Sequence, residues 1–502
     1  MDRGPHRVHT STAFPIFRTG NLLLGALIFT AATFLALLPL RLAGAAVIAS
    51  GAVVSIAFYP PLALGILAFS IPFQDALVLP LGGLTFTATE MALGLLVLTW
   101  FLHGAVKQDL RLRDAWLLAP VGLLIVVLLL SASIAPVVQL GLKEVIKWIE
   151  FSIVLVLGAS LLKTPRDVLA VSAMLLLAGT AEALYGLSQT GGGTGPIGYL
   201  LNGSVLRAYG HFGQPNPFAA YGAMTVVLAT GLVVALLFRT PRSLLRPWGL
   251  ALLLALCIAM AAIIASFSRS ALLAVAAATI VTLAAHGGRA LWLLGLGGSL
   301  ATLLAMLGTL DLLPTFITNR LGIVFDYLTI FDARQVILTS DNFAIVQRMA
   351  IWQSAWEMFL NNPVLGVGTG NFNAAYPSYA LLGWPQLPGH AHNYYLNLLA
   401  ETGALGLSAY MLLLTALAIT AIVCLRSVRP VRLVTSNMPV SALLYGTTLA
   451  VPGLLAVLTV HHLFDNLYVH GMIAHVALIF CLALAARRMA QVPGTILAKD
   501  TI

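Results

Sequence analysis

Gly389–Leu407 reads GHAHNYYLNLLAETGALGL. Two His, two Asn, a Glu and three Gly stand at the start of a long apolar run. A His at the mouth of an apolar helix serves as a base, a ligand or a plain interfacial residue. The choice depends on which side of a membrane it faces and on what stands beside it.

The rest of the chain makes this a membrane question. Of 502 residues, 60% are hydrophobic and only 9% charged, and the mean hydropathy is +0.98. A soluble domain carries about 25% charged residues, so lipid must be the solvent of this chain. Backbone polar groups in lipid must be paired internally, which leaves a helix bundle or a closed barrel. Long Leu/Ala/Val runs without alternation select helices. The expected fold is therefore an all-α polytopic membrane protein with about 12–14 transmembrane helices. Spans are expected near 22–39, 43–59, 62–79, 87–102, 115–134, 144–162, 168–189, 216–238, 248–265, 271–285, 291–309, 403–424, 441–460 and 470–486. Three regions follow: membrane helices over 1–189, a core over 190–424 that includes a long loop at 310–393, and helices with a short tail over 425–502.

The net charge of +9 does not mark a nucleic-acid binder. Its Lys and Arg cluster in short loops between apolar runs, which is an orientation signal. Lys107, Arg111 and Arg113, then Lys163 and Arg166, then Arg239, Arg242 and Arg246, then Arg426, Arg429 and Arg432 agree with one topology. Both termini are cytoplasmic in it. Gly191–Asn216, Ser266–Ser270 and the long loop before Tyr394 face outward. Cys257, Cys424 and Cys481 lie inside apolar runs, so no disulfide framework or metal cluster is expected.

The long loop is no linker, since a structureless loop of that length is unusual in a compact protein. Ile345, Met349, Trp352, Trp356 and Phe359 recur at three- and four-residue steps. That spacing predicts an amphipathic helix suited to a membrane surface, stopped by Asn361, Asn362 and Pro363. Leu365–Phe372, LGVGTGNF, imitates a phosphate loop but lacks the following Lys-Ser/Thr and a preceding βαβ unit. It reads as turns and close backbone packing.

Three outward segments carry the chemistry. Arg207–Ala219, RAYGHFGQPNPFA, offers an Arg, His211, Gln214 and Asn216 on backbone kept irregular by Pro and Gly. It reads as a plain loop or as an anion site with Arg207 as the charge. In Ser266–Ser270, SFSRS, Arg269 falls on the outer side against the charge trend. Such an Arg either snorkels to headgroups or marks a site. The third segment holds His392. Neither His390/His392 nor His461/His462 has the i,i+4 spacing that places two metal ligands on one helical face. Asn393 caps a helix or binds substrate, and Glu401, near the top of the next span, is placed to fix the His tautomer or an Arg. Two Arg and a His on one face suit attack of a hydroxyl on a carbon that bears a pyrophosphate. Arg recognises phosphate well, and neutral His accepts a proton near neutral pH.

At this point the chain resembles the O-antigen ligase/polymerase superfamily. His392, Asn393, nine residues, Gly403, two residues and Gly406 match the ligase signature, with Leu407 where the family has Thr. RAYGHFGQPNPFAAY, SRSALLA and WQSAWEMFLNNPVLGVGTGNF are similar to its other conserved segments, so the resemblance runs from Arg207 to Leu407. It implies a GT-C-like membrane fold in the cytoplasmic (inner) membrane and a metal-independent, inverting glycosyltransferase without cofactor. The implied donor is an undecaprenyl-pyrophosphate-linked glycan at the outer face. The acceptor is a glycan, lipid A-core or a protein hydroxyl. Carried over by position, Arg207 and Arg269 hold the pyrophosphate, His392 activates the acceptor, and Arg348 and Trp352 cover the glycan end of the donor. The competing class is a transporter or flippase. Its pathway would need charges along several spans, and Glu90, Lys147, Glu150 and Glu182 are too few to favour it.

Overall fold

The structure is a computed structural model that describes residues 56–74, 78–81, 84–193, 195–201, 205–309, 331–339, 342–430 and 439–491. The spans expected at 22–39 and over most of 43–59, the termini expected to be cytoplasmic and residues 310–330 lie outside these. The chain divides into two compact units, Met1–Pro60 and Pro61–Ile502. Only residues 56–60 of the first are described, and everything below concerns the second.

That unit is helical. In chain order it holds α1 (Leu62–Ser70), the strands β1 (Val78–Leu81) and β2 (Leu84–Thr87), α2 (Ala88–Lys107), α3 (Leu118–Ser133), α4 (Val138–Leu161) and α5 (Pro165–Gly192). The short pair β3 (Leu200–Leu201) and β4 (Val205–Leu206) precedes α6 (Pro215–Arg239), α7 (Pro247–Ser266), α8 (Arg269–His286) and α9 (Ala290–Thr309). Then come α10 (Phe343–Asn361), α11 (Phe372–Ala375), α12 (Tyr394–Val428), α13 (Val440–His461) and α14 (Met472–Gln491). Among the described residues, nine helices are long and apolar enough to cross a membrane. The protein is an all-α polytopic membrane protein. At 24 residues α4 also has the length, but it carries Lys143, Glu144, Lys147 and Glu150.

The span expected at 62–79 is corrected. Its helix stops at Ser70, and residues 78–87 form an antiparallel hairpin with Val78 opposite Thr87 and Leu81 opposite Leu84. Pro72 and Pro80 explain the difference, because each removes a backbone donor that a continuing helix requires. Hydropathy alone does not register that loss.

Helices α6, α13 and α14 are the most enclosed, and α6 packs along α13, which also packs on α8. Small residues set this approach. A Cβ on Gly231 would lie 2.6 Å from the Gly446 carbonyl and 2.8 Å from the Ala450 nitrogen. Apolar side chains gain little from leaving lipid, so helices in membranes rely on such close backbone contact.

Helix α12 bends at Gly403, whose φ of 64° and ψ of −163° belong to a region that is essentially glycine's alone. The LGVGTGNF loop docks at the bend. Val367 and Gly368 donate backbone bonds to the carbonyls of Ala400 and Glu401 at 2.9 and 3.0 Å, and Ala404 donates to Pro363 at 2.8 Å. The Glu401 carboxylate, buried, accepts from the backbone of Gly370 at 2.9 Å and Phe372 at 3.1 Å. The loop therefore packs as turns against α12.

Candidate active site

The N-termini of α6, α8 and α12 and the C-terminus of α13 lie at one end of the bundle, as the bonds among their end residues show. A helix N-terminus presents unpaired N–H groups and a partial positive charge. The three dipoles add at this end, and α8, whose first turn has no side-chain cap, offers its N–H groups to an anion, whereas Pro215 and Pro217 open α6 and Asn393 caps α12.

Arg207 reaches this end from the strand that precedes α6. Its backbone donates to the Tyr199 carbonyl at 3.0 Å, and its Nε donates to the Ser266 carbonyl at 2.7 Å, across the start of the α7–α8 corner. Its Nη2 lies 3.4 Å from Oδ1 of Asn216. The Asn216 amide then donates to Oδ2 of Asp465 at 3.0 Å. Asp465 comes from the short connection between α13 and α14. Its Oδ1 accepts from the backbone of Asn466 at 2.9 Å and stands 3.4 Å from Nδ1 of His392 and 3.5 Å from Nε2 of His390. Hydrogen bonds thus link Arg207, Asn216 and Asp465 in series, and the two His rings face the Asp465 carboxylate at ion-pair distance.

Asp465 is 6% exposed. Burial acts to raise its pKa, but His392, His390 and His461 outweigh that and hold the carboxyl well below the usual carboxylate range. It stays ionised. Burial pushes His390 down to about 4, with the charges of His392, Arg348 and Lys147 adding to the shift and Asp465 opposing it. His390 is therefore neutral at neutral pH. Its Nδ1 accepts the backbone N–H of His392 at 3.0 Å, which leaves its proton on Nε2, the atom that faces Asp465.

This tautomer decides how to read the cluster. His390, His392 and Asp465 each bring a metal-capable atom within 4.8 Å of the others. A metal needs a bare Nε2 on His390, and the hydrogen bond at Nδ1 puts the proton there. The cluster reads better as a carboxylate faced by two imidazoles.

The backbone of His392 is held firmly. Its φ of +49° lies in the left-handed region, which costs on the order of 1–2 kcal/mol for a residue with a Cβ. Bonds on both sides hold it: Ala391 donates to Asn397 Oδ1 at 3.0 Å, and Tyr394 to the His462 carbonyl at 2.8 Å. Strain of this kind collects at functional positions.

The other expected site residues divide. Arg269 is exposed at the first position of α8, between Ser268 and Ser270. Ser270 Oγ lies 3.4 Å from Nε2 of His461. An Arg in the first turn opposes the helix dipole, so the two positive features are best offset together by an anion. Arg348 lies on α10, close enough for its charge to act on His390. Trp352 follows one turn later, and its buried Nε1 has no hydrogen-bond partner among the described residues. Gln214 is exposed at the cap of α6. Asn393, in contrast, spends its side chain as the cap of α12, accepting from Leu396 at 3.1 Å. Glu401 is taken up by the loop contacts described above. His211 is committed to Glu182: its backbone and its Nδ1 both meet that carboxylate, at 2.7 Å each, and its ring stacks on Tyr185. With Gln189, which bonds Tyr209 and Gly210, this clasp fixes the loop that carries Arg207.

Asp465 and His390 were not singled out as site residues from the sequence. The signal was present in HHLFDN at 461–466, an acid in a short connection between two apolar runs. Such an acid is costly unless paired.

Fold and site define a polytopic helical membrane protein with an arginine–histidine–carboxylate cluster at one end of its bundle. Residues 254–411 match the family described as O-antigen ligase. No curated protein matches the chain.

Proposed function

We propose that the protein is a metal-independent, inverting glycosyltransferase that moves a glycan from undecaprenyl pyrophosphate to an acceptor hydroxyl at the outer face of the cytoplasmic membrane. The observation that carries this reading is the chain from Arg207 through Asn216 and Asp465 to His392. It joins a phosphate-binding group to a proton acceptor through a fixed carboxylate.

In the step envisaged, the acceptor oxygen attacks the anomeric carbon from the face opposite the pyrophosphate. The bond from that carbon to the pyrophosphate oxygen breaks, and undecaprenyl pyrophosphate leaves with the electron pair. Arg207, Arg269 and the N-terminus of α8 offset its developing charge. His392 turns Nδ1 toward Asp465, so Nε2 is the nitrogen left to take the acceptor proton or to aim the hydroxyl. Arg348 and Trp352 cover the glycan. Gln214 is a donor at the same mouth, and His211, held by Glu182, fixes the loop that carries Arg207. The acceptor is a lipid-linked glycan or lipid A-core, as in a polymerase or ligase.

The test is reconstitution with a labelled undecaprenyl-pyrophosphate glycan, each acceptor class offered separately. His392→Ala and Arg269→Ala are each expected to lower transfer by more than about a hundredfold while the protein inserts normally. Wild-type transfer by a well-folded His392→Ala protein would remove His392 from the reaction.

A further inference from the structure

The far end of the bundle holds a second feature. Helix α5 starts two residues after Lys163, carries the Gln189 clasp near its other end, and spans about 42 Å over its 28 residues. At the Lys163 end a shallow, open surface cleft is lined by Trp100, His103, Arg111, Arg113 and Lys163. Asp109 is the one carboxylate of that lining, against three permanent cations. It pairs with Arg113 at 3.2 Å, and Lys163 Nζ lies 3.4 Å from Nε2 of His103.

Cations in a short loop are by themselves only an orientation signal. Two further observations exceed it. One is the cleft, which orientation does not require. The other is what alternates with the cations. Val106 is 84% exposed, Leu110 43%, Leu112 48% and Trp116 47%. Leu110–Arg111–Leu112–Arg113 exposes apolar and basic side chains together, outside any helix. Water suits the Arg residues but not the Leu residues, and hydrocarbon suits the reverse. Both are satisfied at one depth, the level of the lipid headgroups.

We propose that this cleft binds the phosphate of an anionic phospholipid. Arg111, Arg113 and Lys163 hold the phosphate, Trp100 flanks it, and Leu110, Leu112 and Trp116 lie among the acyl chains of the same leaflet. The site is separate from the transfer chemistry, and it stands whether or not that reading does.

The experiment is native mass spectrometry of the delipidated full-length protein, titrated with phosphatidylglycerol or phosphatidylcholine. A basic residue near an anionic headgroup contributes roughly fivefold in affinity. Arg111→Gln/Lys163→Gln is therefore expected to weaken phosphatidylglycerol binding about 25-fold and to leave phosphatidylcholine binding unchanged. Arg113 is kept, because its backbone and side chain also bond Ser160 and Asp109. Leu110→Ser/Leu112→Ser tests the lipid through its chains and is expected to weaken binding with every cation in place. Arg242→Gln/Arg246→Gln, on another basic loop, must leave binding unchanged. Equal affinity for the two lipids, or an unaltered Arg111→Gln/Lys163→Gln protein, overturns the proposal. So does displacement of phosphatidylglycerol by equimolar inorganic phosphate, which would make the occupant a free anion.

Discussion

Asp465→Asn is the sharpest probe of the site, because it removes a charge and almost no volume. The carboxylate accepts from Asn216 at 3.0 Å and from the Asn466 backbone at 2.9 Å, and it faces both imidazoles at 3.4 and 3.5 Å. An amide in its place has one acceptor oxygen. If that oxygen keeps Asn466, the new NH2 meets the Asn216 NH2 and the aim of Arg207 is disturbed. If it keeps Asn216, the NH2 faces the His nitrogens and His392 turns or changes tautomer. A hydrogen bond to a charged group contributes about 1.5–3 kcal/mol, and each 1.4 kcal/mol is about tenfold. Loss of the His392 contact alone then lowers kcat by roughly 10- to 150-fold. The donor KM should move little, because the guanidinium of Arg207 keeps its bond to the Ser266 carbonyl. The assay is initial-rate transfer from the labelled donor to whichever acceptor the wild type uses, on proteins matched for Tm. A kcat within threefold of wild type in the Asn variant would refute the orienting role of Asp465.

Two further outcomes test the scaffold. Gly403→Ala places a Cβ against the backbone of Val364, in a loop tied to α12 at Ala400, Glu401 and Ala404. Backbone strain and overpacking together should cost about 2–5 kcal/mol, read as a lower Tm; an unchanged Tm would show that the bend is dispensable. Acidification should destabilise the protein between about pH 6.5 and 4 through His390. Its folded pKa, about 4, lies below the ordinary 6.5. In that window the unfolded chain binds the extra proton, so stability is full above pH 6.5 and falls as pH drops. The loss is at most about 3 kcal/mol, and less for a side chain 28% exposed. His390→Gln should shrink the fall in Tm over this range without abolishing it, since burial holds His462 far below its ordinary value as well. Asp465 does not contribute there, because a depressed carboxylate loses its stabilisation only below about pH 4.

Hydropathy located most helices because each long apolar run has no alternative in lipid but to form one. Apolar content is all that hydropathy weighs, so it missed the break at Pro72 and Pro80. The spans expected at 144–162 and 403–424 begin earlier, at Val138 and Tyr394. Polar residues lie near the start of both helices, and local partners satisfy them: Lys147 pairs with Glu144 one turn earlier, and Asn397 accepts from the Ala391 backbone. At the site, Arg207, Arg269 and His392 were legible because a charge or imidazole at the edge of lipid demands an explanation. Roles were less legible than positions. Glu401 and Asn393 have side chains suited to substrate, and the loop and the helix cap had already claimed them. Sequence names a donor or an acceptor, whereas only packing says which neighbour reaches it first.

The family match sharpens this point through what it leaves out. Residues 254–411 contain Arg269, Arg348, Trp352, His390 and His392. Arg207, Asn216 and Asp465 lie outside it on either side. The matched segment therefore holds the imidazoles without the carboxylate that faces them, and Arg269 without Arg207. The Arg207 loop is clasped by Glu182 of α5, and Asp465 is presented where α13 turns into α14. Both supports are helix packing, α6 on α13 and α14 on α4. A fragment cut to the matched residues would keep the family signature and lose the geometry that makes His392 useful. The residues of the proposed site and their supports run from Glu182 to Asp465.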